Sequence, residues 1–299
     1  MSNHVKYDRL GAEWEDIGSG GDRSETAQTW FRKDTLDAWR HNRMRAPLKS
    51  VIDEKPQASW LTVGDGRYGT DGHALMEMGA ENVHCSDISD ALLAIGKEKG
   101  FIDEYSAQNA EDLSFDDGSF DYVYCKESFH HFPRPYVALD EMFRVCKKAV
   151  VLTEPRDGSV DKGFFHPFFA ALKMLLGRNK SRGHGFEPAG NYIYSISERE
   201  MEKFLLGMHY TVIAFCSLND AYKEGIEFVE MGSRKKTDRR LRAQIRFSIF
   251  VQDLLVFLKL YKPRLLTVAL FKEPPSESLL ARMRQDGWDV RTLPKNPYL

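Results

Sequence analysis

The sequence predicts an α/β fold: a doubly wound, mostly parallel sheet with a terminal antiparallel hairpin, plus helical insertions forming a lid. Three observations carry this expectation. Across residues 60–155 short apolar runs alternate with helix-like stretches, the pattern of βαβ units. A glycine-rich turn, Gly64-Asp-Gly66-Arg-Tyr-Gly69, follows the first run and precedes the first helix-like stretch. Farther on, two apolar runs at 210–218 and 265–271 are separated by a long insertion, as a strand pair closing the sheet would be.

In order, WLTVG, NVHCSD, FDYVYC and AVVLTE read as strands. Between them 71–78, 90–96 and 135–145 read as helices, the last with Val137, Ala138, Met142 and Val145 at roughly helical spacing. Ser197-Glu-Arg-Glu200 is a capping box opening a helix that runs to Leu206. Two segments, 156–191 and 222–263, fall outside the alternation, and loops of that length form lids or carry their own helices. The expected organisation is an N-terminal helical cap (1–50), a domain over 51–275 with those two insertions, and a C-terminal extension (276–299).

At 299 residues the chain is long enough to bury a full core. Lys and Arg total 42 against 44 Asp and Glu, a formal charge of -2, so no global basic field recruits nucleic acid, and no nucleic-acid partner is expected. Cys85, Cys125, Cys146 and Cys216 lack C-x-x-C spacing and read as free, mostly buried thiols, which suits a reducing cytoplasm. The N-terminal residues carry acids and no apolar core of a secretory signal. Gln252, Asp253 and Lys259 interrupt the apolar run at 247–260 well short of the roughly 18 to 20 residues a bilayer span needs.

Glycine in the 64–69 turn lets the backbone approach a ligand with no Cβ in the way. Asp87, about 20 residues on at the end of the second run, is placed to accept hydrogen bonds from two ribose hydroxyls. A helix N-cap is the structural alternative, open equally to Asp90. The pair suits NAD as well as S-adenosylmethionine (SAM). Three later segments are more specific: Gln108-Asn-Ala-Glu-Asp-Leu-Ser-Phe115, then Asp116-Asp-Gly-Ser-Phe-Asp121-Tyr-Val, then Ser128-Phe-His-His-Phe132. With the turn and Asp87, this ordered series resembles the small-molecule branch of the class I SAM-dependent methyltransferases, which includes quinone-ring, sterol-like and sugar methyltransferases.

The resemblance implies a Rossmann-like domain, SAM as cofactor and methyl transfer as the reaction. It also implies positions: Gly64, Asp65, Gly66 and Gly69 beside the SAM methionine and ribose, Asp87 and Ile88 at the ribose, Asn109, Ala110 and Glu111 bordering the adenine, and Cys125 and Lys126 passing the methionine end. The chain departs from the family pattern where Thr62 replaces an acid before the first glycine, the turn is one residue longer, Asn109 stands where Asp is common, and Cys146-Lys-Lys-Ala149 lacks a Pro-Gly-Gly turn. Thr62, Asn109 and the longer turn motivate a catalytically silent SAM-fold partner subunit as the non-enzyme alternative.

Displacement at a sulfonium needs alignment and exclusion of water, and no metal. A hydroxyl or acidic carbon acceptor also needs a general base, for which His131 is nominated first, Glu154 next and His130 third. Each has a structural alternative as a packing or hydrogen-bonding group. In the first insertion, Phe164, Phe165, His166, Phe168 and Phe169 precede a basic, glycine-rich stretch at 177–185. That combination favours O-methylation of a small-molecule or glycan acceptor of anionic character over C- or N-methylation of a lipid, quinone or natural product. The basic-to-apolar stretch 234–260 admits a peripheral membrane contact, a phosphate clamp, a homodimer contact, or a solvated charge run ahead of a buried helix. Tyr7, Trp14, Trp30, Phe31 and Trp39 belong to the cap, with Tyr7 and Arg32 as further contact candidates.

Overall fold

Successive side chains of a strand face opposite ways, and here the strands are apolar on both faces, so helices must cover both. The computed structural model describes residues 4–21, 23–164, 186 and 192–298, for residues 4–10 the backbone alone. Four N-terminal helices, α1 (His4–Gly18), α2 (Ser24–Gln28), α3 (Leu36–Arg45) and α4 (Lys49–Glu54), precede the sheet. Strands β1 (Ser59–Val63), β2 (Asn82–Asp87), β3 (Glu104–Ala107), β4 (Phe120–Lys126) and β5 (Cys146–Pro155) are parallel. Between them lie α5 (Thr70–Glu77), α6 (Ala91–Glu98) and α7 (Pro135–Val145).

After α8 (Glu198–Gly207) come β6 (Val212–Leu218), α9 (Lys236–Phe257), β7 (Leu265–Phe271), α10 (Glu277–Gln285) and β8 (Asp289–Thr292). The order across the sheet is β3-β2-β1-β4-β5-β7-β6-β8, with β7 antiparallel to both β5 and β6. This is the mostly parallel, Rossmann-like sheet with an antiparallel end that the sequence predicts.

The alternation is visible residue by residue. Leu61, Val63, Val123, Cys125, Val150, Leu152 and Val268 pack on one face with Leu139 and Phe143 of α7 and Met201 and Leu205 of α8. Trp60, Tyr122, Tyr124, Ala149, Val151 and Ala269 pack on the other with Ile52 of α4, Leu75 of α5, Leu93 of α6 and Met283 of α10. Each fully buried Leu, Val or Phe of these layers contributes about 1.5 to 3 kcal/mol. Local signals agree with the layers: Pro135 sits in the first turn of α7, and α8 has the expected capping box, with the Ser197 hydroxyl accepting from the Glu200 N–H at 3.2 Å.

Three expectations change. The 276–299 extension is part of the sheet, because β8 pairs with β6 and α10 packs on α4. The boundary at residue 50 would cut α4, whose Val51 and Ile52 belong to the core rather than to a cap. The second insertion does not end in a buried helix: α9 buries Ile245 and Ile249, while Phe247 and Phe257 are 66% and 81% exposed. Of the first insertion, Phe165, His166, Phe168, Phe169 and 177–185 lie outside the described residues, as does the Tyr7 side chain, and Phe164 is exposed. Cys85, Cys125 and Cys146 are buried free thiols, and Cys216 is half-buried. Among the described residues no helix is long and apolar enough to cross a membrane.

Candidate active site

The parallel strands β1, β2 and β4 end on one edge of the sheet, and a cavity of about 250 Å³ opens there. Its floor is Gly64, Asp65 and Gly66, its sides are Asp87, Ile88, Gln108 and Ala110, and its far end is Lys126, Glu127, Ser128, His130, His131 and Phe132. Trp14 of α1 also lines it. Gly64 has φ +77°, and a Cβ there would lie 2.4 Å from the Ser128 Cβ. A Cβ on Gly66 would lie 2.8 Å from the Trp14 ring and 2.9 Å from the Asp87 carboxyl. Both glycines therefore hold the cavity open.

Asp87 is the most unusual polar group of the site. It is buried, accepts one long hydrogen bond from the Ser89 N–H at 3.4 Å, and is faced by the backbone N–H groups of Gly66 and Ile88. Burial pushes its pKa up to about 7 against these donors. It does not serve as the N-cap of α6: Asp90 holds that position, without a side-chain cap bond. A buried carboxylate on the cavity wall, met by backbone N–H groups alone, fits a ligand bringing two adjacent hydroxyls.

Asp65 is differently engaged. Its carboxylate accepts from the Thr62 hydroxyl at 2.9 Å and from the N–H groups of Asp71 at 3.0 Å and Gly72 at 2.8 Å, so it caps α5 from within. Thr62, the departure noted before the first glycine, is thereby turned into the protein. Gly69 also serves the fold. It adopts φ +76° at the start of α5, where a Cβ would strike Ile102 and Cys85, and it does not line the cavity.

At the end of β4 alternate side chains part ways. Cys125 points into the core and is fully buried, which removes it from the expected ligand path, whereas Lys126 reaches the cavity. The Lys126 ammonium lies 3.2 Å from His41 Nδ1, 3.4 Å from Asp71 and 3.6 Å from Glu127. Glu127 has φ +50°, a conformation few residues other than glycine adopt. Burial opposes its charge, but Lys126, Arg67 and Arg40 outweigh burial and hold its carboxyl below the ordinary range. Burial, with Lys126 and Arg67 alongside, holds His41 well below the usual histidine value. The far end thus presents cations and one carboxylate together.

Asn109 and Glu111 stand beside the cavity rather than in it. The Asn109 side chain accepts the Glu111 N–H at 3.0 Å and shapes the turn that presents Ala110. The Glu111 carboxylate accepts from the backbone N–H of Arg134 at 2.8 Å and from its guanidinium at 2.5 Å.

Glu154 is corrected as a base. It is fully buried at the end of β5, away from the cavity lining, and its carboxylate accepts the N–H groups of Ser128 and Phe129 at 3.0 Å and meets His130 Nδ1 at 2.5 Å. An acceptor-only carboxylate on Nδ1 fixes the His130 tautomer with its proton on Nδ1 and its lone pair on Nε2. His131 lines the same wall, its ring 4.0 Å from that of His130. Trp14, Arg67, Gln108, Glu127 and Ser128 also line the site. Ser128 and Glu127 sit at a strand end, where side chains face the cavity; Trp14 belongs to the expected N-terminal cap and Arg67 to the glycine turn.

The profile of the methyltransferase domain family matches residues 61–153. Among curated relatives, the ubiquinone/menaquinone biosynthesis C-methyltransferase UbiE of Brucella suis is 28% identical over 123 residues, 38% of this chain and 46% of that protein. Phosphoethanolamine N-methyltransferase 2 of Caenorhabditis elegans is 30% identical over 105 residues, 33% of this chain and 24% of that protein. The chain thus spans less than half the length of these relatives. Magnesium protoporphyrin IX methyltransferase of Synechocystis is a structural neighbour with a TM-score of 0.44 at 14% identity, over 78% of this chain and 84% of that one.

Proposed function

Residues 61–153 are a class I SAM-dependent methyltransferase domain, and from that premise we propose that the chain moves a methyl group from SAM to a small-molecule acceptor that loses a proton in the reaction. When bound, SAM supplies a methyl group on a sulfonium, open to in-line attack by a lone pair. The observation that carries the reading is Asp87, a buried carboxylate on the cavity wall at the end of β2, beside the glycine turn. Its two oxygens suit the ribose diol, Gly66 leaves room beside it, and Ile88 and Ala110 border the base. Lys126 and Arg67 suit the carboxylate of the amino-acid end, and Glu127 suits its ammonium. Glu127 would take the part of the acid that Thr62 replaces.

His130 is the base we favour, ahead of His131. Glu154 holds the imidazole by Nδ1 and stabilises the imidazolium formed when Nε2 takes the acceptor proton, while the cavity walls exclude bulk water. A base of this kind suits a hydroxyl or an acidic ring carbon. O-methylation of a sugar-containing or other small hydroxylic acceptor is the first reading, and the relatives named for C-methylation motivate the second. Product NMR after turnover with methyl-labelled SAM distinguishes an O–CH3 from a C–CH3 group.

Ligand binding should depend on pH through Asp87. Hydroxyl donors favour its ionised form, so binding lowers a pKa that stands at about 7 in the free protein and releases a proton. Affinity for SAM should therefore weaken as pH falls below 7, by up to about tenfold per pH unit. Titration calorimetry from alkaline to acidic pH checks this. Asp87→Asn should flatten that component, and an unchanged profile in the variant removes Asp87 from the site.

A further inference from the structure

Helix α9 carries an exposed face that the proposed chemistry does not use. Its buried side chains, Ile245 and Ile249, pack against Leu36 of α3. On the outer side Phe247 is 66% exposed, Phe250 61%, Leu254 45%, Phe257 81% and Leu258 49%. At about 100° per residue these five fall within one arc of about 100°. Lys236, Arg239 and Arg240 fall within the same arc, about two turns nearer the N-terminus, and none of them forms an ion pair among the described residues. The two acids of the helix lie off the arc and are engaged elsewhere, Asp238 by Ser233 and Thr237, Asp253 by Asn219.

We propose that this face of α9 docks the protein on an anionic lipid surface, with Phe247, Phe250, Leu254, Phe257 and Leu258 entering the acyl boundary and Lys236, Arg239 and Arg240 meeting the phosphates. The composition decides the occupant. Aromatic and aliphatic side chains beside unpaired cations, with no acid on the arc, match a bilayer interface, which is apolar below and negatively charged above. A second copy of the chain fits less well. A two-fold contact through the arc would bury its cations against the partner's cations or against its apolar side chains, with no acid to compensate them.

The placement also suits a peripheral enzyme. Leu218 at the end of β6 and Pro155 at the end of β5 both pair with Leu265 at the start of β7, so the segment bearing α9 leaves from the edge where the cavity opens. From α3, beneath α9, His41 reaches Lys126 on the cavity wall. The docking proposal does not require methyl transfer to be the reaction.

The test is flotation of the full chain with vesicles of phosphatidylcholine mixed with phosphatidylglycerol and with vesicles of phosphatidylcholine alone. Two variants accompany it, Phe250→Ala/Phe257→Ala and Lys236→Glu/Arg239→Glu/Arg240→Glu, all at exposed positions. The wild type should float with the anionic vesicles and far less with the neutral ones, and each variant should bind at least about tenfold more weakly. Failure of the wild type to float with anionic vesicles overturns the proposal, as does flotation of both variants like the wild type. Dimerisation in sedimentation equilibrium that the phenylalanine variant abolishes, without vesicle binding, overturns it in favour of a contact between copies. SAM titration of the same preparations separates the two readings: intact SAM binding without vesicle binding rejects the docking alone.

Discussion

Replacing His130 with alanine is expected to lower turnover by about 100-fold or more while leaving SAM affinity within about threefold. The reasoning is geometric. Glu154 has no exposed surface, and its carboxylate is consumed by two backbone N–H groups and by His130 Nδ1 at 2.5 Å. It therefore acts on the reaction only through the imidazole it holds. Glu154→Gln should keep the shape but lose the charge that stabilises the imidazolium. Turnover should fall and the acid limb of the pH–rate profile should move to lower pH, because an imidazolium without an anion on Nδ1 is less stabilised, which makes His130 a weaker base. His131→Ala should cost much less than His130→Ala. Steady-state rates with thermal denaturation as a folding control decide the matter, and equal small losses at both histidines would point to an acceptor that needs no base.

Asp87 should show opposite effects on binding and stability. Two hydrogen bonds from ligand hydroxyls to a charged group are worth about 3 kcal/mol or more, so Asp87→Ala should weaken SAM binding about 100-fold or more. In the free protein the carboxyl is a burden. Its folded pKa of about 7 lies above the ordinary carboxylate value of 3.8, so the folded state holds the proton more tightly, and stability is lost as pH rises from about 4 to 7. That difference corresponds to roughly 4 kcal/mol as an upper bound. Asp87→Asn should therefore raise the melting temperature at alkaline pH and weaken SAM binding by about tenfold or more. A lower melting temperature with unchanged affinity would instead mark Asp87 as a structural residue.

The parts of the fold legible in the sequence were those buried on both sides. Strands β1, β4, β5 and β7 are continuous apolar runs because helices cover both faces, and the capping box of α8 is a local signal. The two strands without a signal, β3 and β8, are the two edges of the sheet. Each has a single neighbour and half-exposed or exposed residues throughout, so neither Glu-Tyr-Ser-Ala nor Asp-Val-Arg-Thr needed an apolar pattern. In the site, Gly64, Gly66 and Asp87 were legible because turn geometry and strand ends dictate them. What the sequence did not separate was direction: Cys125 from Lys126, or the capping role of Asp65 from a ligand role. Nor did it reveal that Glu154 and His130, 24 residues apart, would meet. Trp14 comes from a helix whose docking on α6 is a tertiary event with no periodic signature.

The most direct measurement is a calorimetric titration of the purified chain with SAM and, separately, with NAD at mildly alkaline pH. The expected result is saturable binding of SAM at one site per chain, lost in Asp87→Ala, with no saturable binding of NAD. Saturable NAD binding without SAM binding would contradict methyl transfer in favour of a hydride-transfer enzyme, and binding of neither would mark the chain as a silent partner subunit.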